Sequence, residues 1–153
     1  MRNEKIESLI DELGKDKILE YLGVKISIIE KYTDIKTYED SLLVLNPDED
    51  CIIYDTDSKR IIAFKKIMHI YSAINYLNND WQPDWLDSSQ YKYYPYFKAE
   101  SNYKSSGASG FGFSDCSYGN WNAFVGSRLC TYSSEVAKYI GKQFEDLYSD
   151  YLK

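Results

Sequence analysis

The feature that most constrains the fold lies in residues 58–79, where Ile61, Phe64, Ile67, Met68, Tyr71, Ile74 and Leu77 recur at three- and four-residue steps. That spacing stacks them on one side of an α-helix. Lys59, Arg60, Lys65 and Lys66 fall on its other faces, and Asn78-Asn79-Asp80 ends it. An apolar stripe of this length must be covered by other elements of the same chain. The sequence offers a second amphipathic helix from Ser133 or Ser134 to about Tyr151, with Val136, Ile140, Phe144, Leu147 and Tyr151 on its buried face. Either serine can cap that helix.

Between the two helices the periodicity changes. Tyr91-Lys92-Tyr93-Tyr94-Pro95-Tyr96-Phe97 is rich in residues that favour pleated surfaces. Pro95 has no N–H to give to a ladder, which predicts an edge strand or a bulge. Residues 110–118 and 124–132 read as two further strands joined by a turn near Gly119-Asn120. Cys116 and Cys130 are then expected opposite each other on that hairpin. Trp81-Gln82-Pro83-Asp84-Trp85 reads as an ordered loop pinned by its indoles.

The N-terminal third is helical in pattern. Short helices are expected over residues 3–13, 17–22 and 27–32. Another follows Thr37, where Thr37-Tyr38-Glu39-Asp40 forms a capping box with Asp in the place of Glu. Residues 46–57 form an acidic connector, with Asp48, Glu49, Asp50, Asp55 and Asp57 and no base, and Cys51-Ile52-Ile53-Tyr54 as a short strand within it. The fold class is therefore α+β: a helical N-terminal half, a small antiparallel sheet of about three strands, and a C-terminal helix packed on the sheet. At 153 residues the chain has the length of one ordinary domain, with residues 1–45 a helical subregion and residues 58–153 the main body.

Composition narrows the function classes. The net charge is −6, whereas a binder of the phosphate backbone is ordinarily basic. The exception is residues 88–132, where Lys92, Lys98, Lys104 and Arg128 face only Glu100 and Asp115. Aromatic residues make up 16% of the chain, and the sixteen tyrosines supply most of them, which predicts broad amphipathic surfaces. The three cysteines show no CxxC spacing and Met1 leads straight into Arg2-Asn3-Glu4-Lys5, so reduced thiols and a cytoplasmic location are expected. No membrane span is expected, because no apolar run is long enough.

Catalytic and metal motifs fail one by one. Ile52-Ile53-Tyr54-Asp55-Thr56-Asp57 has the shape of a haloacid-dehalogenase phosphatase strand, but Lys59 stands where its threonine belongs. Arg60 occupies the turn-glycine position of a calcium loop. The glycines at 107, 110 and 112 lead into a strand, whereas a phosphate loop leads into a helix. His69 is the sole histidine, and one histidine with three scattered cysteines does not make a zinc site. A partly buried, hydrogen-bonded helix histidine is expected there. Residues 18–31 imitate a helix-turn-helix around Leu22-Gly23-Val24, but Ile18 stands where a small residue is usual, and residues 1–45 hold ten acids and seven bases. No cofactor, no metal and no enzymatic activity are expected.

Three stretches together resemble a known family: Tyr91-Lys92-Tyr93-Tyr94-Pro95-Tyr96-Phe97, then Val125-Gly126-Ser127-Arg128-Leu129-Cys130, then Ala137-Lys138-Tyr139-Ile140-Gly141-Lys142-Gln143-Phe144. Trp81-Gln82-Pro83-Asp84-Trp85 fits the same pattern. The chain resembles, over about residues 58–152, an uncharacterised family of short proteins from bacteriophages and mobile elements of gut Bacteroidota. The resemblance implies an origin and carries no catalytic residues. Two roles follow as expectations. The first is a non-catalytic accessory that binds a phage or host protein, either in assembly or as an inhibitor of a host defence system. The second is a single-stranded nucleic-acid binder using Lys92, Tyr93, Tyr94, Tyr96, Lys98 and Arg128, since bases stack on exposed rings while flanking cations meet phosphates.

Overall fold

The structure is a computed structural model that describes residues 29–99, 111–119 and 129–152. The helices expected at 3–13 and 17–22, and most of the helix-turn-helix resemblance, lie outside these residues. The described chain runs through a 3-10 turn (Tyr32–Asp34), helix α1 (Tyr38–Val44), a 3-10 turn (Glu49–Cys51) and helix α2 (Lys59–Tyr76). Strands β1 (Lys92–Ala99) and β2 (Phe111–Gly119) follow, then helices α3 (Ser134–Gln143) and α4 (Glu145–Leu152).

Local chemistry sets most of these boundaries. The capping box before α1 is formed: the Thr37 hydroxyl accepts the Asp40 N–H at 3.1 Å, and the Asp40 carboxylate accepts the Thr37 N–H at 2.8 Å. Ser58 and Ser133 cap α2 and α3 in the same manner. Beyond α2, Asn79 and Asp80 take positive φ values of 54° and 52°, a conformation that Asn and Asp tolerate better than most residues. The expected helix over 27–32 is absent from its described part. There the Asp34 carboxylate takes the N–H groups of Glu30 and Lys31, and only a 3-10 turn forms. The Cys51–Tyr54 strand is also not formed. Asp48 caps a 3-10 turn at Glu49–Cys51, and Lys65 then ties the extended segment down through the Ile52 carbonyl and the Asp57 carboxylate, both at 2.7 Å.

Helix α2 is more deeply enclosed than its stripe predicts. Ile67, Tyr71 and Ile74 are buried as expected, but so are Ala63, Ile70 and Ala73, whereas Ile61 is exposed. The reason is position: α1 packs on one side of α2 and α4 on another, so its C-terminal half is covered nearly all round. Ile140 of α3, Phe144 and Tyr148 of α4 complete the core with Phe111 and Ile35. Within it the Tyr71 and Tyr148 hydroxyls bond to each other at 2.8 Å. The Tyr139 hydroxyl donates to the Ile35 carbonyl at 2.8 Å and Gln143 donates to the Lys36 carbonyl at 2.9 Å, which fastens the start of the described chain to α3.

The single C-terminal helix of the sequence reading is two helices. Phe144 leaves the helical region (φ −113°, ψ 27°), so α4 sets off afresh at Glu145. The break turns the Glu145 carboxylate onto the N–H of Phe113 in β2, at 2.9 Å. That N–H would otherwise be an unpaired donor on a sheet edge.

The sheet has two strands among the described residues. β1 and β2 are antiparallel, pairing Lys92 with Gly119 through to Ala99 with Phe111. A bulge opposite Tyr96 and Phe97 leaves Ser114 of β2 as the extra residue, so the bulge falls on β2 and the Pro95 strand itself carries none. Of the third strand expected over 124–132 only residues 129–132 are described, and there Tyr93 and Thr131 form a single bridge, exchanging both backbone bonds at 2.9 Å. In an antiparallel ladder the next such pair would join residue 95 to residue 129. Pro95 has no N–H for it, so the ladder stops. Residues 129–131 thus lie beside β1, and the expected pairing of 110–118 with 124–132 is not seen where the chain is described. Cys116 faces Pro95 across the sheet, so it is not opposite Cys130.

Helix α3 crosses the sheet at very close range. A Cβ on Gly141 would stand 2.4 Å from Phe113 Cδ2 and 2.7 Å from Pro95 Cβ. Alanine in a helix interior ordinarily gains up to about 1 kcal/mol over glycine. Here overpacking against a proline ring dominates, and Gly141→Ala should destabilise the protein by about 1–3 kcal/mol in chemical denaturation. A stabilised variant would show that α3 is free to move away from β1.

Candidate interaction surfaces

The residues singled out for nucleic-acid binding do not form one surface. Tyr94, Tyr96 and Lys98 are exposed along β1, the two rings at 39% and 43%. Tyr93 turns to the opposite face by strand alternation and clusters with Tyr118 and Tyr91, ring centroids 5.8 and 6.3 Å away. Lys92 is 2% exposed, its ammonium donating to the Asp87 carbonyl at 3.0 Å and lying 5.6 Å from the centre of the Trp85 ring. Arg128 lies outside the described residues. An acid also lies beside the rings: Asp115 pairs with Tyr96 across the strands and meets Lys138 at 3.3 Å. Its carboxyl is held low by the N–H of Cys116 first and by the Lys138 ammonium second.

The segment between α2 and β1 forms a second surface, and its own polar side chains hold it. Gln90 accepts the N–H of Asp84 at 2.7 Å and donates to the carbonyl of Gln82 at 3.2 Å. Asp84 accepts the N–H of Leu86 at 2.8 Å. Asp87 accepts both the hydroxyl and the N–H of Ser89, which keeps its carboxyl below the usual range. The Trp81 ring packs edge-on against Tyr132. On this braced loop Leu86 stands 98% exposed.

A cleft of about 350 Å³ opens between that loop and the acidic turn before α2. Met68, Tyr71, Ser72 and Asn75 of α2 form its floor. Asp48 and Asp50 stand on one wall, and Gln82, Pro83 and Trp85 on the other. The indole loop was anticipated from sequence, but Leu86 and the cleft were not. The density of Asp, Ser and Gln over residues 84–90 was the available signal, because such side chains bond to nearby backbone and stiffen a loop.

Cys51, Cys130 and the histidine are set deep in the fold, whereas Cys116 is partly exposed. Burial, with Asp48 beside it, pushes the Cys51 thiol up to about 12, and burial alone pushes Cys130 up to about 12. His69 is 0% exposed, and among the described residues neither ring nitrogen meets a partner with full hydrogen-bond geometry, although the carbonyls of Ser41 and Leu45 lie close. This differs from the expected half-buried, bonded side chain, because the ring is enclosed between α1 and α2 with Tyr38 edge-on at 5.7 Å. Burial lowers its pKa, opposed by the nearby carbonyls of Ser41 and Leu45 and by Asp48. Among the described residues no three His, Cys, Asp or Glu side chains group as a metal site, and no helix is long and apolar enough to cross a membrane.

Comparison of the chain with protein-family models, with curated proteins and with solved structures finds no match.

Two outcomes follow from these environments. A thiol reagent at mildly alkaline pH should label Cys116 first in the native protein, with Cys51 and Cys130 reacting only on unfolding. Equal native rates for all of them would contradict the buried placement. His69 has a folded pKa below its unfolded value of 6.5, so its contribution to stability is full above that value and is lost as the pH falls through the folded pKa. Unfolding free energies at pH 7.5 and 5.5 should differ less in His69→Leu than in the unsubstituted protein. An unchanged difference would mean that the ring is not confined.

Proposed function

We propose that the chain is a non-catalytic binding protein that docks a partner protein on the loop spanning residues 81–90. The observation that carries this reading is Leu86, 98% exposed on a loop whose backbone is bonded at Asp84, Leu86, Ser89 and Gln90. A preformed loop gives up little conformational freedom on binding, and a presented apolar side chain can fill a partner's pocket at its full transfer value. The buried thiols and the enclosed histidine support a role without chemistry of their own. With the family resemblance, this reading places the protein as an accessory of a phage or mobile element, engaging a phage or host protein.

The exposed rings of Tyr94 and Tyr96 beside Lys98 favour a second reading, single-stranded nucleic-acid binding on the outer face of β1. It ranks second because Lys92 is engaged with Asp87 and an acid lies opposite Tyr96.

The two readings separate in one comparison. Immobilised protein, Leu86→Ser and the double variant Tyr94→Ala/Tyr96→Ala are exposed to host and phage proteins and, separately, to labelled single-stranded oligonucleotide at two salt concentrations. The docking reading expects a protein partner that Leu86→Ser loses and the tyrosine variant keeps. Salt-sensitive oligonucleotide binding that the tyrosine variant abolishes, with no Leu86-dependent partner, would overturn it in favour of the second.

A further inference from the structure

We propose that residues 37–51 form a strap across α2 that lifts when His69 takes up a proton. This goes beyond the docking reading and does not depend on it. The strap comprises α1 and the 3-10 turn at Glu49–Cys51, both of which pack on α2. It is pinned just outside each end. Ahead of it, Tyr139 and Gln143 hold the carbonyls of Ile35 and Lys36. Behind it, Lys65 holds the Ile52 carbonyl and the Asp57 carboxylate. Between these pins the grip is light. Leu42 and Leu43 of α1 are turned to solvent, and the fully buried residues of the strap are Ser41 and Cys51. A segment with so few buried apolar contacts opens at a lower free energy than the whole fold.

His69 lies beneath this strap, and the polar groups close to its ring belong to the strap: the Tyr38 ring, the carbonyls of Ser41 and Leu45, and the Asp48 carboxylate. A neutral imidazole has one N–H to donate, whereas the protonated ring has two and a charge that must leave water. Burial outweighs the help of the two carbonyls and Asp48, so the enclosed ring binds its proton less tightly than a ring in water. Proton uptake below the ordinary value of 6.5 therefore favours the state in which the ring is free of the strap. The other charged and titratable groups nearby do not reverse this sign. The Lys66 ammonium lies 5.0 Å from the centre of the Tyr38 ring, so a second cation there is unwelcome. The Tyr38 hydroxyl is pushed up by burial first and then by Cys51 and Glu39. On the α4 side, Tyr148 and Tyr151 are engaged with Tyr71 and Phe64. Lifting the strap uncovers the Cys51 thiol, and it takes Asp48 and Asp50 off one wall of the cleft beside the indole loop.

The test follows thiol accessibility in the full chain. The probe is 4,4′-dithiodipyridine, which reacts with thiols in mild acid, and each cysteine is read separately by peptide mass spectrometry. Rates are divided by those of the unfolded chain at the same pH. Between pH 7.5 and 5.0 the Cys51 rate should rise by about tenfold. Cys130, buried outside the strap, should stay protected over the same range. His69 is the sole histidine, so its carbon-bound ring protons give an unambiguous magnetic-resonance titration. That titration should share its midpoint with the Cys51 rise, and His69→Leu should keep Cys51 protected at both pH values. Cys51 protection that is unchanged in acid overturns the proposal. So does exposure of Cys51 and Cys130 together, which means that the whole protein unfolds. A rise that persists in His69→Leu overturns it as well. Should that variant not fold, the two midpoints in the unsubstituted protein decide, and midpoints that differ contradict the strap.

Discussion

The side chain of Asn75 holds together parts of the chain far apart in sequence. Its amide donates to the carbonyl of Cys130 at 3.0 Å, and its own oxygen accepts the hydroxyl of Thr131 at 2.8 Å, both in the buried interior. Its backbone carbonyl receives the N–H groups of Asn78 and Trp81 at 3.0 Å, so the same residue closes α2 and launches the indole loop. Thr131 in turn exchanges both backbone bonds with Tyr93. Helix α2, the segment before α3, strand β1 and the docking loop are therefore tied at one point. An amide in an apolar interior is costly unless fully bonded, and here both of its ends are used.

The position of that junction explains why so small a sheet suffices. Two strands alone are marginal in water. Here one face lies beneath α3, with Gly141 allowing close approach to Pro95 and Phe113, and the Phe97 ring packs 4.4 Å from that of Tyr148. The edge of β2 is blunted by carboxylates, Glu145 on the N–H of Phe113 and Asp115 on that of Cys116. The edge of β1 is closed by the Thr131 bridge and by Pro95. Two N–H groups of the β2 edge are thus taken by the chain itself, and the exposed apolar side chains among the described residues include Leu86 on its loop, Tyr94 and Tyr96 on the outer face, and Leu43, Tyr91 and Tyr118 elsewhere.

What the sequence made legible was local. Thr37 with Asp40, Ser133 and the turn at Asn79-Asp80 mark helix ends by short-range bonding, and each does so in the structure. Pro95 announced a strand edge for a reason internal to its own ring, since it has no N–H to give to a neighbour at residue 129. The misses depend on partners far along the chain. Lys92 looked like an exposed cation because its strand alternates, but the loop ahead of it folds back and engages its ammonium. The break at Phe144 has no Gly or Pro to signal it, since it is set by contacts of Phe144, Glu145 and Tyr148 with the core and β2. The described end of the expected third strand lies beside β1, with a proline at the next bonding position, and that neighbour was not legible from local pattern. Leu86 drew no reading from the sequence, since nothing in its own type reveals that the bonds around it leave it standing clear.

The measurement that bears most directly on this account is a double-mutant cycle in chemical denaturation on Asn75→Ala and Thr131→Val. The junction predicts that Asn75→Ala alone costs about 2–4 kcal/mol, since it leaves buried polar partners unbonded and opens a small cavity. It also predicts that the two substitutions are coupled by at least about 1 kcal/mol. Effects that sum to within about 0.5 kcal/mol would contradict it, and would mean that helix, sheet and loop are held by apolar packing alone.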